Sequence, residues 1–495
     1  MDIAILIFLS SGLFLGWSLG ANDAANVFGT AVGTRMVKFG TAAAVCSLFV
    51  VLGAVISGSG AAHTLGKLGA VNAIAGSFMA ASAAAMSVYW MTKAGLPVST
   101  SQAIVGAIIG WNLFSGSSTD LHSLATIVST WVLCPVLSGL IAMPIFLLTG
   151  KVLKVVKLHA LRLDAYTRIA LIVAGALGSY SLGANNIANV MGVFVDVSPF
   201  TDFRVADLFH FTSIQQLFLV GALAIAVGVF TYSKKVMLTV GSGVLPLSPV
   251  GAWVVVVAQS VVLFLFASEG LEYFLASHGL PTIPLVPVSS SQAVIGGVIG
   301  IGLVKGGRNI RWKLIGRIGI GWLATPIISG LLCFVLLYFV QNVFDQQVYR
   351  PTPYRLPAAA TARLQDLGLD PARLAPLVGK EFGRETAFRA ALGALADLDG
   401  DTRDRVSDLA RVDPLRVDAD RAVEGSNGWF SPGQVTALRR LDGRAFDYRW
   451  QLVDALATLS EDWRMLPAAK VNKLKNKKLR QQYDALYRAF SVPPQ

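Results

Sequence analysis

Ten apolar runs follow one another along the first 345 residues, each flanked by polar or charged positions. A helix of about 20 apolar residues spans the hydrocarbon core of a bilayer, and the runs have approximately that length. The pattern therefore predicts an all-α integral membrane protein with two sets of five helices. The runs lie near residues 3–28, 40–60, 70–93, 96–113, 124–149, 168–192, 213–232, 250–267, 285–304 and 318–343.

Two of these runs, 96–113 and 285–304, differ from the others. Each is short, begins close to a proline and contains three consecutive hydroxyl residues. Irregular backbone at membrane depth is tolerated only where it is buried in protein or lines a cavity. We therefore predict a re-entrant helical hairpin at each position.

The composition divides the chain into a membrane part and a soluble part. Hydrophobic residues make up 54% of the chain and charged residues 14%, against about 25% charged residues in soluble proteins. Residues 350–495 nevertheless hold 24 of the 41 basic and 19 of the 29 acidic residues, which predicts a soluble helical tail. Because the net charge of +12 is shared between the two parts, it does not indicate nucleic-acid binding. The three cysteines form no disulfide framework or metal-ligand pattern.

Three motifs occur twice, in the same order, and predict an internal duplication. The signature motif reads Gly-Ala-Asn-Asp-Ala-Ala-Asn at residues 20–26 and Gly-Ala-Asn-Asn-Ile-Ala-Asn at 183–189. The serine motif reads Pro-Val-Ser-Thr-Ser-Gln-Ala at 97–103 and Pro-Val-Ser-Ser-Ser-Gln-Ala at 287–293. The third motif consists of Trp131, Pro135, Ser138 and Gly139 in one half and Trp322, Pro326, Ser329 and Gly330 in the other.

The basic residues predict how the chain is oriented. With the N-terminus outside and ten crossings, the inside loops hold 15 of the 17 basic residues of the first 349 positions, as the positive-inside rule requires. Five crossings per half make the second half inverted, which is typical of secondary transporters with a midplane site. The predicted parts are 1–150, the first membrane repeat; 151–167, a cytoplasmic linker; 168–345, the second, inverted repeat; and 346–495, the tail.

Asp23 is the only acidic residue that falls within an apolar run. A carboxylate in lipid is costly unless it is compensated, so it indicates a functional site. The alternative is a helix cap at the membrane interface. The neighbouring Gly20 permits local unwinding, and Asn22 and Asn26 supply amide groups. Such oxygen ligands suit Na⁺ or proton exchange, because hard cations prefer carboxylate and carbonyl oxygens.

The serine motifs are suited to an anion. A helix N-terminus offers free N–H groups and the positive end of the helix dipole. Neither motif contains Arg or Lys, so a multiply charged anion would be balanced by a co-bound cation, which favours symport. The alternative is ordinary Ser/Thr packing between membrane helices. The candidate donors are Ser99, Thr100, Ser101, Ser289, Ser290 and Ser291, and the candidate acceptors are the amide oxygens of Gln102 and Gln292.

These motifs resemble the PiT family of inorganic phosphate transporters over about residues 1–345. The resemblance implies inverted repeats, two re-entrant hairpins, phosphate uptake driven by Na⁺ or H⁺, and a homodimer. It implies phosphate binding at Ser99, Thr100, Ser101, Gln102, Ser289, Ser290, Ser291 and Gln292. It implies cation binding at Asn22, Asp23, Asn26, Asn185, Asn186 and Asn189, with Na⁺ at Asp23, Asn26, Asn186 and Asn189. The chain departs from the family at Asn186, where many members carry Asp.

We therefore expect a multi-pass cell-membrane transporter that takes up inorganic phosphate with a cation by alternating access. It would need no cofactor beyond the co-transported ion. The alternatives are a sulfate permease of the same superfamily and an anion channel. An enzyme acting on phosphate esters is disfavoured, because the membrane part has no buried His, Cys or paired carboxylates suited to catalysis.

Phosphate and sulfate differ in one way that the site residues can read. Near neutral pH phosphate carries at least one O–H group and needs an acceptor, whereas sulfate needs only donors. The amide oxygens of Gln102 and Gln292, the Asn side chains and Asp23 are candidate acceptors. They therefore favour phosphate.

The tail, which the crossing count places outside, resembles no family that its residues identify. Its acidic segment 397–408 spaces its aspartates as an EF-hand calcium loop does, but it lacks the required glycine and the final glutamate. A solvated turn is the favoured interpretation. A basic run between Lys470 and Arg480 is interpreted as a solvated helix face that could touch lipid headgroups.

Overall fold

The computed structural model describes residues 3–69, 71–93, 98–200, 203–205, 209–240, 247–307, 310–426, 428–467 and 472–491. Pro97 of the first serine motif and Lys470 of the basic run lie outside these residues. In the first half the helices are α1 (Ile3–Gly33), α2 (Phe39–Ser57), α3 (Ser59–Leu68), α4 (Ile74–Lys93), α5 (Thr100–Ser115) and α6 (Leu121–Val156).

The second half repeats this order with small additions. Its helices are α7 (Ala160–Met191), α8 (Ser213–Thr231), α9 (Ser233–Val240), α10 (Pro249–Ala267), α11 (Glu269–Ser277), α12 (Ser290–Val304) and α13 (Trp312–Val343). A short ribbon pairs β1 (Phe203–Val205) with β2 (Phe209–Phe211), an element that the all-α prediction did not include.

Each of the ten predicted runs contains a helix. Of the described helices, α1, α2, α4, α6, α8, α10 and α13 are long and apolar enough to span a membrane. The helices of the two serine motifs, α5 and α12, have only 16 and 15 residues, fewer than the roughly 20 that a full crossing takes. The region predicted as the linker 151–167 is largely helical, since α6 continues to Val156 and α7 begins at Ala160.

The two halves pack against each other through symmetrical pairs of helices. Helix α1 packs against α8 and α2 against α7, while α5 packs against α13 and α12 against α6. Helices α7, α8, α12 and α13 of the second half correspond to α1, α2, α5 and α6 of the first. Replacing each helix by its counterpart therefore turns the α1–α8 pair into the α7–α2 pair, and the α5–α13 pair into the α12–α6 pair. Small residues permit the approach: a Cβ atom at Gly106 would collide with the carbonyl of Pro326, and one at Gly296 with that of Pro135. Such close backbone contacts are typical of membrane helix interfaces.

The tail has two successive hydrophobic cores of similar construction. The first unit comprises β3 (Tyr354–Arg355), α14 (Thr361–Asp366), α15 (Pro371–Leu374), β4 (Glu381–Phe382), α16 (Glu385–Leu395) and α17 (Gly400–Ala410). The second comprises β5 (Leu415–Arg416), α18 (Ala419–Ser426), α19 (Pro432–Arg440), β6 (Ala445–Phe446), α20 (Arg449–Leu459) and α21 (Lys473–Phe490).

Each tail unit pairs its two strands antiparallel and closes with a bridge, Tyr354 to Arg411 in the first and Leu415 to Ser491 in the second. Segments 377–395 and 441–459 carry matching Leu, Gly and Phe positions at a constant spacing of 64 residues. The tail is therefore a tandem duplication, which the sequence analysis did not detect. In the acidic segment 397–408, Asp399 accepts from Thr402 N at 2.8 Å and caps α17.

The tail docks on both membrane halves. Glu385 accepts from the Oγ and backbone N of Ser118, in the loop after α5, at 2.5 and 3.2 Å. Thr386 N donates to the carbonyl of Gly116, whose φ of 74° requires the left-handed region. On the other side, Lys477 forms a 2.5 Å ion pair with Glu272 of α11. The first tail unit therefore contacts a loop of the first half, and the second tail unit contacts a helix of the second half.

Candidate functional site

The residues predicted to bind ions lie inside the bundle, although their motifs are far apart in the chain. All are buried except Asn26, which is partly buried. Asp23 lies within α1 and the second signature motif lies near the end of α7. The serine motifs lie where α5 and α12 begin, because Ser99 and Ser289 are the N-caps of those helices.

The first signature motif contacts the second serine motif. Ser290 Oγ donates to Asp23 Oδ2 at 2.7 Å, and Asn22 Nδ2 donates to Asp23 Oδ1 at 3.1 Å. Asn26 Nδ2 lies 3.1 Å from Ser290 Oγ and 3.2 Å from Ser291 Oγ. The carboxylate is therefore held by hydroxyl and amide donors, which lower the cost of its burial.

The second signature motif contacts the first serine motif in a related way. Asn189 Nδ2 donates to Ser101 Oγ and to Asn186 Oδ1, both at 2.8 Å. Asn186 occupies the position that Asp23 has in the first half, so one carboxylate is replaced by an amide. The Thr100 hydroxyl makes none of these bonds, although its counterpart Ser290 bonds to Asp23.

The two serine motifs are also bonded to each other. Ser101 Oγ donates to the carbonyl of Val288 at 3.2 Å, and Ser291 Oγ donates to that of Val98 at 3.3 Å. Asn185 holds the extended segment before α12, since its amide bonds to Val286 O at 3.2 Å and accepts from Val288 N at 2.9 Å. The four motifs consequently form a single site.

Four polar side-chain atoms at this site have no hydrogen-bond partner among the described residues. They are Gln102 Oε1, Gln292 Oε1, Asn186 Nδ2 and Asn189 Oδ1. Buried polar groups are normally paired, so each of these calls for a ligand, a water or a conformational change. The set contains acceptors and a donor, which matches an oxyanion that carries a proton.

The two halves contribute different charges to the site, because the first half supplies a carboxylate and the second does not. Asp23 is the only Asp, Glu, Lys or Arg among the residues that the structure both describes and classes as buried. The N-termini of α5 and α12 bring partial positive charge to the serine motifs. An anion would therefore be held by backbone N–H groups, hydroxyls and amides. A cation such as Na⁺ would be held by Asp23 with neutral oxygens around it. Among the described residues, no three His, Cys, Asp or Glu side chains are grouped so that they could hold a metal ion.

Gln259 on α10 is a buried polar residue that the sequence analysis did not select. It is fully buried, and neither atom of its amide has a partner within the described ranges. One turn earlier, Val255 lies against Gly297 of α12, and at the end of α10 the carbonyl of Phe266 accepts from Val286 N. Segment 286–297 therefore runs antiparallel to α10, and Gln259 lies level with the start of α12. A lone glutamine in an apolar run was the available signal.

Comparison with known proteins places these observations in a family context. The model of the phosphate transporter family matches residues 19–272 and 280–397. A protein of Methanocaldococcus jannaschii that has been proposed to be a phosphate permease is 25% identical over 68% of this chain and 98% of its own length. The sulfate permease CysP of Bacillus subtilis is 28% identical over 68% of this chain and 87% of its own. A sodium-dependent phosphate transporter of known structure shares the fold with a TM-score of 0.53, at 24% identity, over 68% of this chain and all of that one.

Proposed function

Because this chain belongs to the phosphate transporter family, we propose that it takes up inorganic phosphate together with a cation, Na⁺ or H⁺, by alternating access. It is a multi-pass membrane protein. Phosphate would bind between the serine motifs, at Ser99–Gln102 and Ser289–Gln292. The cation would bind at the signature motifs, with Asp23 as its charged ligand.

The observation that carries this proposal is the bond between Ser290 and Asp23. The same hydroxyl faces the helix N-terminus where an anion would bind and the carboxylate where a cation would bind. A cation at Asp23 would neutralise the charge that otherwise repels the anion. Each ion would therefore favour binding of the other, and this thermodynamic linkage is what symport requires.

Two features support alternating access by inverted repeats. The main helix pairs join one half to the other, so the halves could rock around a site that both of them build. The short helices α5 and α12 begin at the site, which is the arrangement that a re-entrant hairpin would have.

The substitution of Asn186 for an acidic residue sets the proposed stoichiometry. Na⁺ or H⁺ binding needs a negative charge in a low-dielectric interior, and the site has one fixed carboxylate. We expect fewer coupled cations per phosphate than in relatives with two acidic signature motifs.

Sulfate is the second candidate substrate, because the sulfate permease of Bacillus subtilis is 28% identical to this chain. A site with donors only would favour sulfate. The unpartnered acceptor Asn189 Oδ1, together with the buried carboxylate of Asp23, favours an anion that carries a proton. We therefore propose phosphate as the first candidate substrate and sulfate as the second.

We also propose that the protein contacts lipid and assembles as a homodimer, and we assign it no enzymatic activity. Helices α6 and α13 expose apolar side chains along their length, for example Leu140 and Leu331. In a membrane these faces would be covered by lipid or by a second copy.

Uptake of radiolabelled phosphate into proteoliposomes tests the proposal. The purified full chain is assayed with and without a Na⁺ gradient and at two pH values. Accumulation above the external concentration that depends on one of these gradients supports symport. Equilibration without accumulation would instead indicate an anion channel.

A further inference from the structure

Two tryptophans of the third repeated motif have buried indole N–H groups without partners. Neither Trp131 Nε1 on α6 nor Trp322 Nε1 on α13 has a hydrogen-bond partner in the described part of the chain. Buried tryptophan normally finds an acceptor. The acceptors Gln102 Oε1 and Gln292 Oε1 also have no hydrogen-bond partner among the described residues. Both belong to side chains of residues that are 2% exposed.

The packing of α6 on α12 places one tryptophan beside one glutamine. Pro135 and Gly139 of α6 lie against Gly296 and Gly300 of α12, so the two helices run parallel in a fixed register. Residues four apart lie on the same face of a helix. One turn before Pro135 and Gly296 are Trp131 and Gln292.

Cys134 places the start of α12 next to the same stretch of α6. Its Sγ donates to the carbonyl of Ser289 at 3.5 Å, at the first turn of α12. Trp131 is three residues from Cys134 on the same face of α6. The helix register therefore sets Trp131 level with Gln292 of the second serine motif, on the facing sides of the two helices.

The other helix pair, α13 and α5, repeats the arrangement. Pro326 and Gly330 of α13 lie against Gly106 and Gly110 of α5. One turn earlier on each helix are Trp322 and Gln102. Each of the two helix pairs joins one half to the other, and each sets an unpaired N–H donor level with an unpaired carbonyl acceptor.

We propose that Trp131 and Trp322 are positioning residues for the anion. Each indole N–H donates to the amide oxygen of its glutamine, Gln292 or Gln102, when the site closes on its ligand. The bond fixes the orientation of the amide, so its NH₂ group points into the site and donates to an oxyanion. The acceptors left for a protonated anion are then Asn189 Oδ1 and Asp23. This inference rests on the proposed function, since it assigns the amide donors to the same anion.

The pairing accounts for features that packing alone does not. Phenylalanine would fill the same space without a buried N–H, whereas an indole N–H that is buried without an acceptor is costly. An unpaired buried donor beside an unpaired buried acceptor is less stable than the bonded pair. A small rotation of the side chains therefore has a physical driving force, which the bound anion increases by engaging the NH₂ group.

Double-mutant cycles on phosphate transport test the pairing. Trp131→Phe keeps the ring and removes the N–H, and Gln292→Leu removes the amide. Each single change should raise the KM for phosphate about tenfold, the loss expected for one hydrogen bond to a charged ligand, with little change in maximal rate. The double variant should be no worse than Gln292→Leu alone.

The mismatched pair provides the control. Trp131→Phe combined with Gln102→Leu should multiply the two effects, because these residues belong to different Trp–Gln pairs. Trp90→Phe, at an exposed tryptophan of α4, should change nothing. If matched and mismatched pairs multiply alike, the pairing is wrong.

The same cycles are also measured as the phosphate-induced rise in melting temperature, which needs no transport. A wild-type chain that neither accumulates nor binds phosphate contradicts the proposed function. Binding without coupling between Trp131 and Gln292 contradicts only the positioning role. Coupling in the binding cycle together with absent uptake supports the pairing and rejects symport.

Discussion

Ser290 and Asp23 are separated by 267 positions in the chain, yet Ser290 Oγ donates to Asp23 Oδ2 at 2.7 Å. Ser290 belongs to the second half and Asp23 to the first. The bond therefore joins the halves at the point where a cation site and an anion site would meet. If the halves move relative to each other during transport, this contact would change, and both the cation site and the anion site would be affected.

The hydroxyls of Thr100 and Ser290 should have different roles, although they occupy equivalent positions. Thr100→Ala should raise the half-saturation concentration for phosphate, because a donor to a buried charged ligand contributes about 1.5–3 kcal/mol, or roughly ten- to a hundredfold in affinity. Its cation dependence should stay unchanged. Ser290→Ala should weaken phosphate binding and also alter the cation dependence, since Ser290 donates to Asp23.

Uptake kinetics at varied phosphate and varied cation concentration check both expectations. Thr100→Ser retains the hydroxyl and should behave as wild type. Unchanged affinity in both alanine variants would assign these residues to helix packing alone.

Gln259→Leu should separate stability from function. Both amide atoms of Gln259 are buried without partners, and replacing such a group with an apolar one of similar size is neutral or stabilising. Phosphate affinity should nevertheless fall, because Gln259 lies level with the start of α12. The variant is assayed by thermal unfolding and by uptake. A variant that is destabilised and transports normally would show that Gln259 has a structural partner and no contact with the ion path.

The residues of the candidate site could be selected from the sequence, because duplication and the apolar surroundings make them conspicuous. A carboxylate such as Asp23 is too costly in an apolar run to be incidental. The hydrogen bonds of Asn185 to the backbone before α12 could not be predicted, since they depend on the register between a helix of one half and a segment of the same site that the sequence leaves open. The tail duplication was missed because few apolar positions repeat at its 64-residue spacing.

The ends of the helices were also beyond the reach of hydropathy. The predicted linker 151–167 is polar, yet α6 and α7 extend into it as far as Val156 and from Ala160. Helices continue past the membrane where charged side chains can be solvated, so the apolar run does not mark their ends. The family assignment and the multi-pass membrane location were confirmed.

The docking of the tail should depend on the ionisation of Glu385. Burial alone would raise the pKa of Glu385, but hydrogen bonds from Ser118 and the charge of Arg389 outweigh it, so the pKa is lowered from its ordinary value of 4.5. A lowered pKa in the folded state means that the stabilisation is present above pH 4.5 and is lost as the pH falls through the lowered value.

Glu385→Gln removes the charge without changing the shape. At neutral pH the variant should unfold at a lower temperature than wild type, with a loss of about 1–3 kcal/mol for the charged hydrogen bonds. The difference between the two proteins should shrink as the pH falls below 4.5. Glu381→Gln, at an exposed position on β4, is the matched control. A difference that persists unchanged in acid would show that the carboxylate charge is not what holds the tail.

Arsenate should compete with phosphate better than sulfate does. Arsenate keeps the O–H group that the acceptors at the site can use, whereas sulfate would leave an acceptor unpaired at a cost of about 1–3 kcal/mol. Uptake of labelled phosphate is measured with each competitor at equal concentration. Equal inhibition by both anions would make sulfate the leading substrate, in line with the relative from Bacillus subtilis.

Replacing Asp23 tests the account most directly, because Asp23 is the single buried carboxylate in the described chain. Asp23→Asn gives the first signature motif the amide that Asn186 already provides in the second. Radiolabelled phosphate uptake is compared between wild type and variant, reconstituted in equal amounts under the same imposed cation gradients, with size-exclusion profiles to confirm folding. The account predicts that wild type concentrates phosphate and that the folded variant does not. Normal accumulation by Asp23→Asn would contradict it.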